Sequence, residues 1–252
     1  MKPRLEESSI TEDNLKEMSF LDHLEELRST IIQSLVVFFV LSVLCWFFSG
    51  KILDILINDL PVESLYFHSP LEAFMVRLKV SFVLGFMLAF PFVLSKIWAF
   101  ISPGLFTSER KKVFPFILSS SALFYAGVLF CYLILIPIVL QFLLRFGTEN
   151  INPLLSVQSS FTFVARLCFT FGIVFQLPIV VLVLSLLGIV TPQFLLRQWR
   201  YAIVAIFVAA AILTPPDAVS QVLMAGPIFI LYMGSVAIAM IVVRKKKEDE
   251  EE

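Results

Sequence analysis

Residues 113–144 contain no charged side chain. That run is longer than the ~20 residues with which an α-helix crosses a bilayer core. In hydrocarbon every backbone N–H and C=O must find an internal partner, and a helix supplies all of them within one segment. Residues 29–50 form a second charge-free run of spanning length. Polar residues arrive between such runs in short clusters, so the chain reads as a series of membrane helices joined by loops. Composition agrees: 15% of the 252 residues are charged and 59% hydrophobic, where a soluble domain carries about 25% charged residues. The first 28 residues are polar and lack an apolar h-region or a small-residue cleavage site, so no cleavable signal is expected there.

In chain order, residues 1–18 read as a loose cytoplasmic tail, 19–243 as a six-helix transmembrane domain and 244–252 as a charged cytoplasmic tail. Ser19 and Asp22 have the spacing of a capping box. Phe20, Leu24, Leu27 and Ile31 then share one helical face, with Asp22, Glu25, Glu26 and Ser29 on another. This amphipathic start leads into the first span. The second span, about 72–100, holds Pro91, which is expected to kink it. The third, 113–144, is divided by Pro137. The fourth, about 161–187, contains Arg166, Gln176 and Pro178. Residues 201–214 amount to only about 21 Å of helix. The sharp turn Thr214-Pro-Pro-Asp217 follows, and Gly226-Pro227 interrupts the return run. The fifth and sixth helices are therefore expected to be short, or to form a re-entrant hairpin.

Charge sets the orientation. With six spans, fourteen of the nineteen Lys and Arg residues fall on the side of both termini. The exceptions are Lys51, Arg77, Lys79, Arg145 and Arg166. The positive-inside bias makes that side cytoplasmic.

Catalysis has almost no support. There is no G-x-x-x-x-G-K-[ST] loop and no H-E-x-x-H, and the two histidines, His23 and His68, lie on opposite sides. Asp217 has no acidic partner in the last pair of helices, and Ser235 has no nearby base. Cys45, Cys131 and Cys168 sit inside apolar runs without ligand spacing and read as small buried hydrophobes. No metal, cofactor or nucleic acid is expected.

What remains is a polar group at the cytoplasmic face. In the central loop Pro103 and Gly104 end one helix, Thr107 or Ser108 can cap the next, and Glu109 precedes the cations Arg110, Lys111 and Lys112. Glu25, Glu26 and Arg28 reach the same interface from the first helix. Glu109 reads equally as an anion facing a helix dipole, and Glu26 as the partner of neighbouring cations.

Five motifs, in order, make the chain similar to a known family: His23-Leu-x-Glu-Leu-Arg28, Trp98-Ala-Phe-Ile-x-Pro103, Glu109-Arg110, Phe175-x-x-Pro178 and Thr214-Pro-Pro-Asp217. They resemble the TatC family, the signal-receptor subunit of the twin-arginine translocase, across residues 18–243. The resemblance implies an all-α, glove-shaped integral membrane protein of the cell inner membrane, with no enzymatic activity. It implies binding of folded cargo through Arg-Arg signal peptides. It also implies small single-span TatA- and TatB-type partners, further copies of the chain, and transport driven by the proton gradient. By the same resemblance Glu26 and Glu109 hold the arginine pair, with Arg28, Phe100 and Pro91 around them, and Asp217 is the far-side turn aspartate. Gln176 stands where the family usually has a glutamate, so any role there rests on hydrogen bonding or packing instead of charge. The rival class is a secondary transporter of a small ion or solute, which also uses broken helices; no clear internal repeat supports it.

Overall fold

The computed structural model describes residues 20–59, 65–101, 113–145, 155–213 and 218–251. The elements run α1 (Phe20–Trp46), α2 (Ser49–Asn58), β1 (Leu65–Tyr66), α3 (Pro70–Ile101) and α4 (Val113–Phe130). A π-helical turn (Cys131–Leu135) leads to α5 (Ile136–Leu144), β2 (Leu155–Ser156), α6 (Val157–Val174) and α7 (Leu177–Leu186). The chain closes with α8 (Pro192–Arg197), α9 (Trp199–Leu213) and α10 (Ala218–Glu251). Five apolar stretches have spanning length: Leu24–Trp46, Pro70–Phe100, Phe114–Leu144, Val157–Leu186 and Ala218–Lys245. Trp199–Leu213 is shorter, about 22 Å of helix. The near end of the bundle is defined here as the one where α1 begins and α3 ends.

One detail differs from the sequence expectation. Helix six is not short: α10 passes through Pro227 and on to Glu251 as one helix. Breaking it at Pro227 inside hydrocarbon would free several backbone groups, whereas a proline left in place removes one bond. Trp98 is buried and stacked on Phe116, ring centroids 5.1 Å apart.

Packing follows from close approach, because lipid tails compete with apolar side chains and remove most of the hydrophobic drive between helices. α1 lies along α3 and is otherwise largely exposed, with Ile31, Leu35, Phe39 and Val43 turned outward. α4 packs on α6, and α10 on both α7 and α9. Phe124 is fully buried and stacks on Phe90, ring centroids 3.6 Å apart. Cys131, Leu135, Leu167, Phe171, Ala210 and Met224 form the largest buried cluster.

Two crossings depend on glycine. A Cβ on Gly85 would lie 2.6 Å from Ser42 Cα, and one on Gly127 would lie 2.6 Å from the Phe171 carbonyl oxygen. Backbone cannot yield as a flexible side-chain tip does. Gly85→Ala is therefore expected to push α1 off α3, costing about 1–3 kcal/mol and lowering the unfolding midpoint in detergent. An unchanged midpoint would show that the crossing is loose.

The far end is held by a device absent from the sequence reading. β1 and β2 pair in parallel, Leu65 with Leu155 and Tyr66 with Ser156. Ser69 accepts from the Glu72 N–H at 3.2 Å, capping α3. The buried Glu72 carboxylate accepts from the His68 N–H at 2.7 Å, from the Ser156 hydroxyl and from the Gln158 N–H at 3.2 Å. Ser156 in turn caps α6. One carboxylate thus ties the starts of α3 and α6 together.

Candidate functional site

At the near end α1 and α3 enclose an open groove of about 450 Å³. Glu25, Glu26, Ser29, Thr30 and Gln33 of α1 line one side and Lys96 of α3 the other. Residues 26, 29/30 and 33 recur at helical spacing, so they form one polar face of α1. Gln33 Nε2 donates to Ser29 Oγ at 3.0 Å. The Lys96 ammonium sits 5.4 Å from the centre of the Phe92 ring, a cation–π distance that turns it along α3. Among the described residues the lining holds two carboxylates and one ammonium, a formal charge of −1.

The expected site residues divide. Glu26 lines the groove. Arg28 is exposed on α1, and Phe100 is half-buried in the last turn of α3; neither is part of the lining. Pro91 lies in the body of α3, five residues or about 7.5 Å along the axis before Lys96, and is not part of the lining. Glu109 and Asp217 lie outside the described residues.

Gln176 sits where the fourth apolar stretch breaks. Pro178 has no N–H to offer the Val174 carbonyl, and α6 ends there while α7 restarts at Leu177. The Gln176 carbonyl accepts from the Ile179 and Val180 N–H groups at 3.0 Å each. Its side-chain Nε2 donates to the Ser120 carbonyl of α4 at 2.9 Å. Gln176→Leu removes that interhelical bond and is expected to cost about 0.6–2 kcal/mol, seen as a lower unfolding midpoint. Gln176→Glu should be tolerated, since a protonated carboxyl keeps a donor for Ser120. An unchanged midpoint with leucine would show that the amide is dispensable.

The remaining membrane-depth cations are anchored in ways their spacing does not show. Arg166 donates to the Ile212 carbonyl at the end of α9. Arg77 lies 5.4 Å from the Trp46 ring centre, and its Nε donates to Ser49 Oγ at 3.4 Å. Lys79 donates to Thr162 at 3.0 Å. Among the described residues no cluster of three or more His, Cys, Asp or Glu is placed to hold a metal.

Fold and site together define a multi-pass helical membrane protein with a polar, net-anionic groove at its charged end. Residues 22–227 match the family model "Sec-independent protein translocase protein (TatC)". The TatC protein of Carboxydothermus hydrogenoformans is 37% identical over 238 residues, which cover 93% of this chain and 98% of that protein. The TatC protein of Aquifex aeolicus is 38% identical over 237 residues, or 92% and 98% of the two chains. A crystal structure described as the twin arginine translocase receptor TatC superposes with a TM-score of 0.78 at 37% identity, covering 87% of this chain and 98% of that one. The chain belongs to the TatC family of Sec-independent protein translocases.

Proposed function

We propose that this protein is the signal receptor and core subunit of a twin-arginine translocase. It lies in the cell inner membrane with six spans, α9 among them, and both termini in the cytoplasm. The observation that carries the reading is the placement of Glu26 in an open groove at the charged end of the bundle. Consecutive arginines offer planar forks that fit carboxylates in bidentate fashion, and lysine cannot reproduce that geometry. Exposed ion pairs contribute only about 0.2–1 kcal/mol each. Useful affinity therefore needs partial desolvation at the interface, with the peptide's apolar segment buried beside the helices. Glu109 supplies the second carboxylate from the central loop. Arg28 and Phe100 border the site, and Pro91 sets the course of α3 towards it.

Around this receptor, single-span TatA- and TatB-type subunits and further copies of the chain assemble, and the proton gradient drives transport. The far-side turn aspartate, Asp217, and the hydrogen-bonded Gln176 serve assembly.

The test is capture by the reconstituted protein. Proteoliposomes should retain a folded reporter carrying an Arg-Arg signal and release it when the arginines become lysines. Flux of small ions or solutes without any signal-dependent capture would favour a secondary transporter instead.

A further inference from the structure

A second opening lies towards the far end. There α2, α3, α6 and the end of α4 with its π-helical turn enclose a cavity of about 190 Å³. Its lining runs from Val80 to Met87 along α3 and from Phe161 to Cys168 along α6, about 10 Å in each case. The cavity is thus a slot parallel to the helices. Ile52 and Leu56, one turn apart on α2, close its far end. Leu129 of α4 also lines it and is exposed, so the slot opens on the lipid-facing side of the bundle.

The lining and the depth decide what such a slot can hold. Only the Tyr132 hydroxyl and the Cys168 thiol interrupt an otherwise apolar wall. The hydroxyl already donates to Asp59 Oδ2 at 2.9 Å. A polar solute would find few partners there, and apolar cavities of about 150 Å³ stay dry and take up apolar molecules. The α3, α4 and α6 walls belong to three apolar stretches of spanning length, so hydrocarbon surrounds the opening. The volume is below the ~300–1,000 Å³ of small-molecule clefts and too small for a helix about 10 Å across. A single acyl chain matches its shape and polarity. Lys51, exposed, precedes Ile52 on α2 and puts a cation at the end where a lipid phosphate would lie.

α2 is fastened over the slot. Its C-cap residue, Asp59, is the acceptor of the Tyr132 hydroxyl. Tyr132 belongs to the π-helical turn, whose extra residue re-aims side chains relative to a regular helix.

We propose that this slot seats one acyl chain of a phospholipid from the far leaflet. α2, latched by the Asp59–Tyr132 hydrogen bond, retains it. The site is separate from the signal groove and does not depend on what binds there.

The experiment uses the full-length protein in liposomes containing a phosphatidylglycerol with a diazirine at mid-chain. After illumination, label should concentrate on Val83, Leu129 and Ala165, about tenfold above the exposed lipid-facing residues Phe39 and Ile138. Val83→Phe and Ala165→Leu each fill the slot from a different wall and should bring the lining down to the level of Phe39. Leu88→Phe, on an exposed position of α3, should leave the map unchanged. Tyr132→Phe keeps the ring and removes the latch. Its bound phospholipid, followed by native mass spectrometry through detergent exchange, should be lost at least roughly tenfold faster than the parent's. Unfolding midpoints identify variants that remain folded, and the map of the parent protein tests the site by itself. Label spread evenly over all lipid-facing residues would mean an ordinary lipid annulus and overturn the proposal. So would a lining still labelled in both filled variants. Labelling by a diazirine fatty alcohol but not by the phospholipid would overturn the assigned occupant.

Discussion

Glu26→Lys is expected to abolish twin-arginine signal binding, weakening it by at least about a hundredfold. Removing one member of a partly desolvated charge pair costs about 2–5 kcal/mol, because the other charge is left without compensation. A hundredfold corresponds to roughly 2.8 kcal/mol. Lysine adds repulsion, since the groove would then hold two ammonium groups against the single carboxylate of Glu25. Glu26→Ala should weaken binding less, and Glu109→Lys should match Glu26→Lys. Folding should survive, because Glu26 is only half-buried and borders an open groove. Affinity is the readout, measured on variants whose unfolding midpoints match the parent. Binding of Glu109→Lys at parental strength would favour the plainer role for that residue, an anion stabilising a helix start.

The second large effect lies at the far end. Glu72→Ala removes at once the acceptor for the His68 N–H and the Ser156 hydroxyl, and one of the two acceptors of the Gln158 N–H, which keeps Ser156 Oγ. It thereby uncouples the start of α3 from the start of α6. Part-buried donors that lose an acceptor weaken the joint, and a loosened segment opens more often. The His68 amide should exchange hydrogen at least roughly tenfold faster, the Gln158 amide less so because Ser156 Oγ still accepts from it, and the β1–β2 pairing should fray with them. Glu72→Gln keeps one acceptor oxygen and should fall between alanine and the parent. Unchanged protection at both amides in the alanine variant would show that the strand pair holds the far end without help. Signal affinity should change little in either variant, because the groove lies at the opposite end of α3.

What could be read in advance was what charge and local periodicity encode. The charge-free runs gave the helices, Pro178 marked the break beside Gln176, and the five spaced motifs pointed to the family. Contacts between distant residues stayed hidden. Glu72 meets Ser156 and Gln158 across 84 and 86 residues, and the only local sign was the capping-box spacing of Ser69 and Glu72. The acceptor of Arg166, the Ile212 carbonyl, lies 46 residues further on. Trp98 is buried in a cluster in which Phe116 of α4 stacks on it. α10 was expected to break at Pro227 because the local penalty was weighed without the larger cost of opening a helix inside hydrocarbon. In the groove, Glu26 could be named from its motif. Lys96 could not, since nothing local places residue 96 opposite residues 25 and 26.

A receptor for paired arginines is tested most directly by one ratio of affinities. Full-length protein is titrated, at fixed salt, with an Arg-Arg signal peptide and with the same peptide carrying Lys-Lys. Bidentate recognition in a partly desolvated groove requires the Arg-Arg peptide to bind at least roughly tenfold tighter, and Glu26→Gln to reduce that preference. Equal affinities for the two peptides would contradict it.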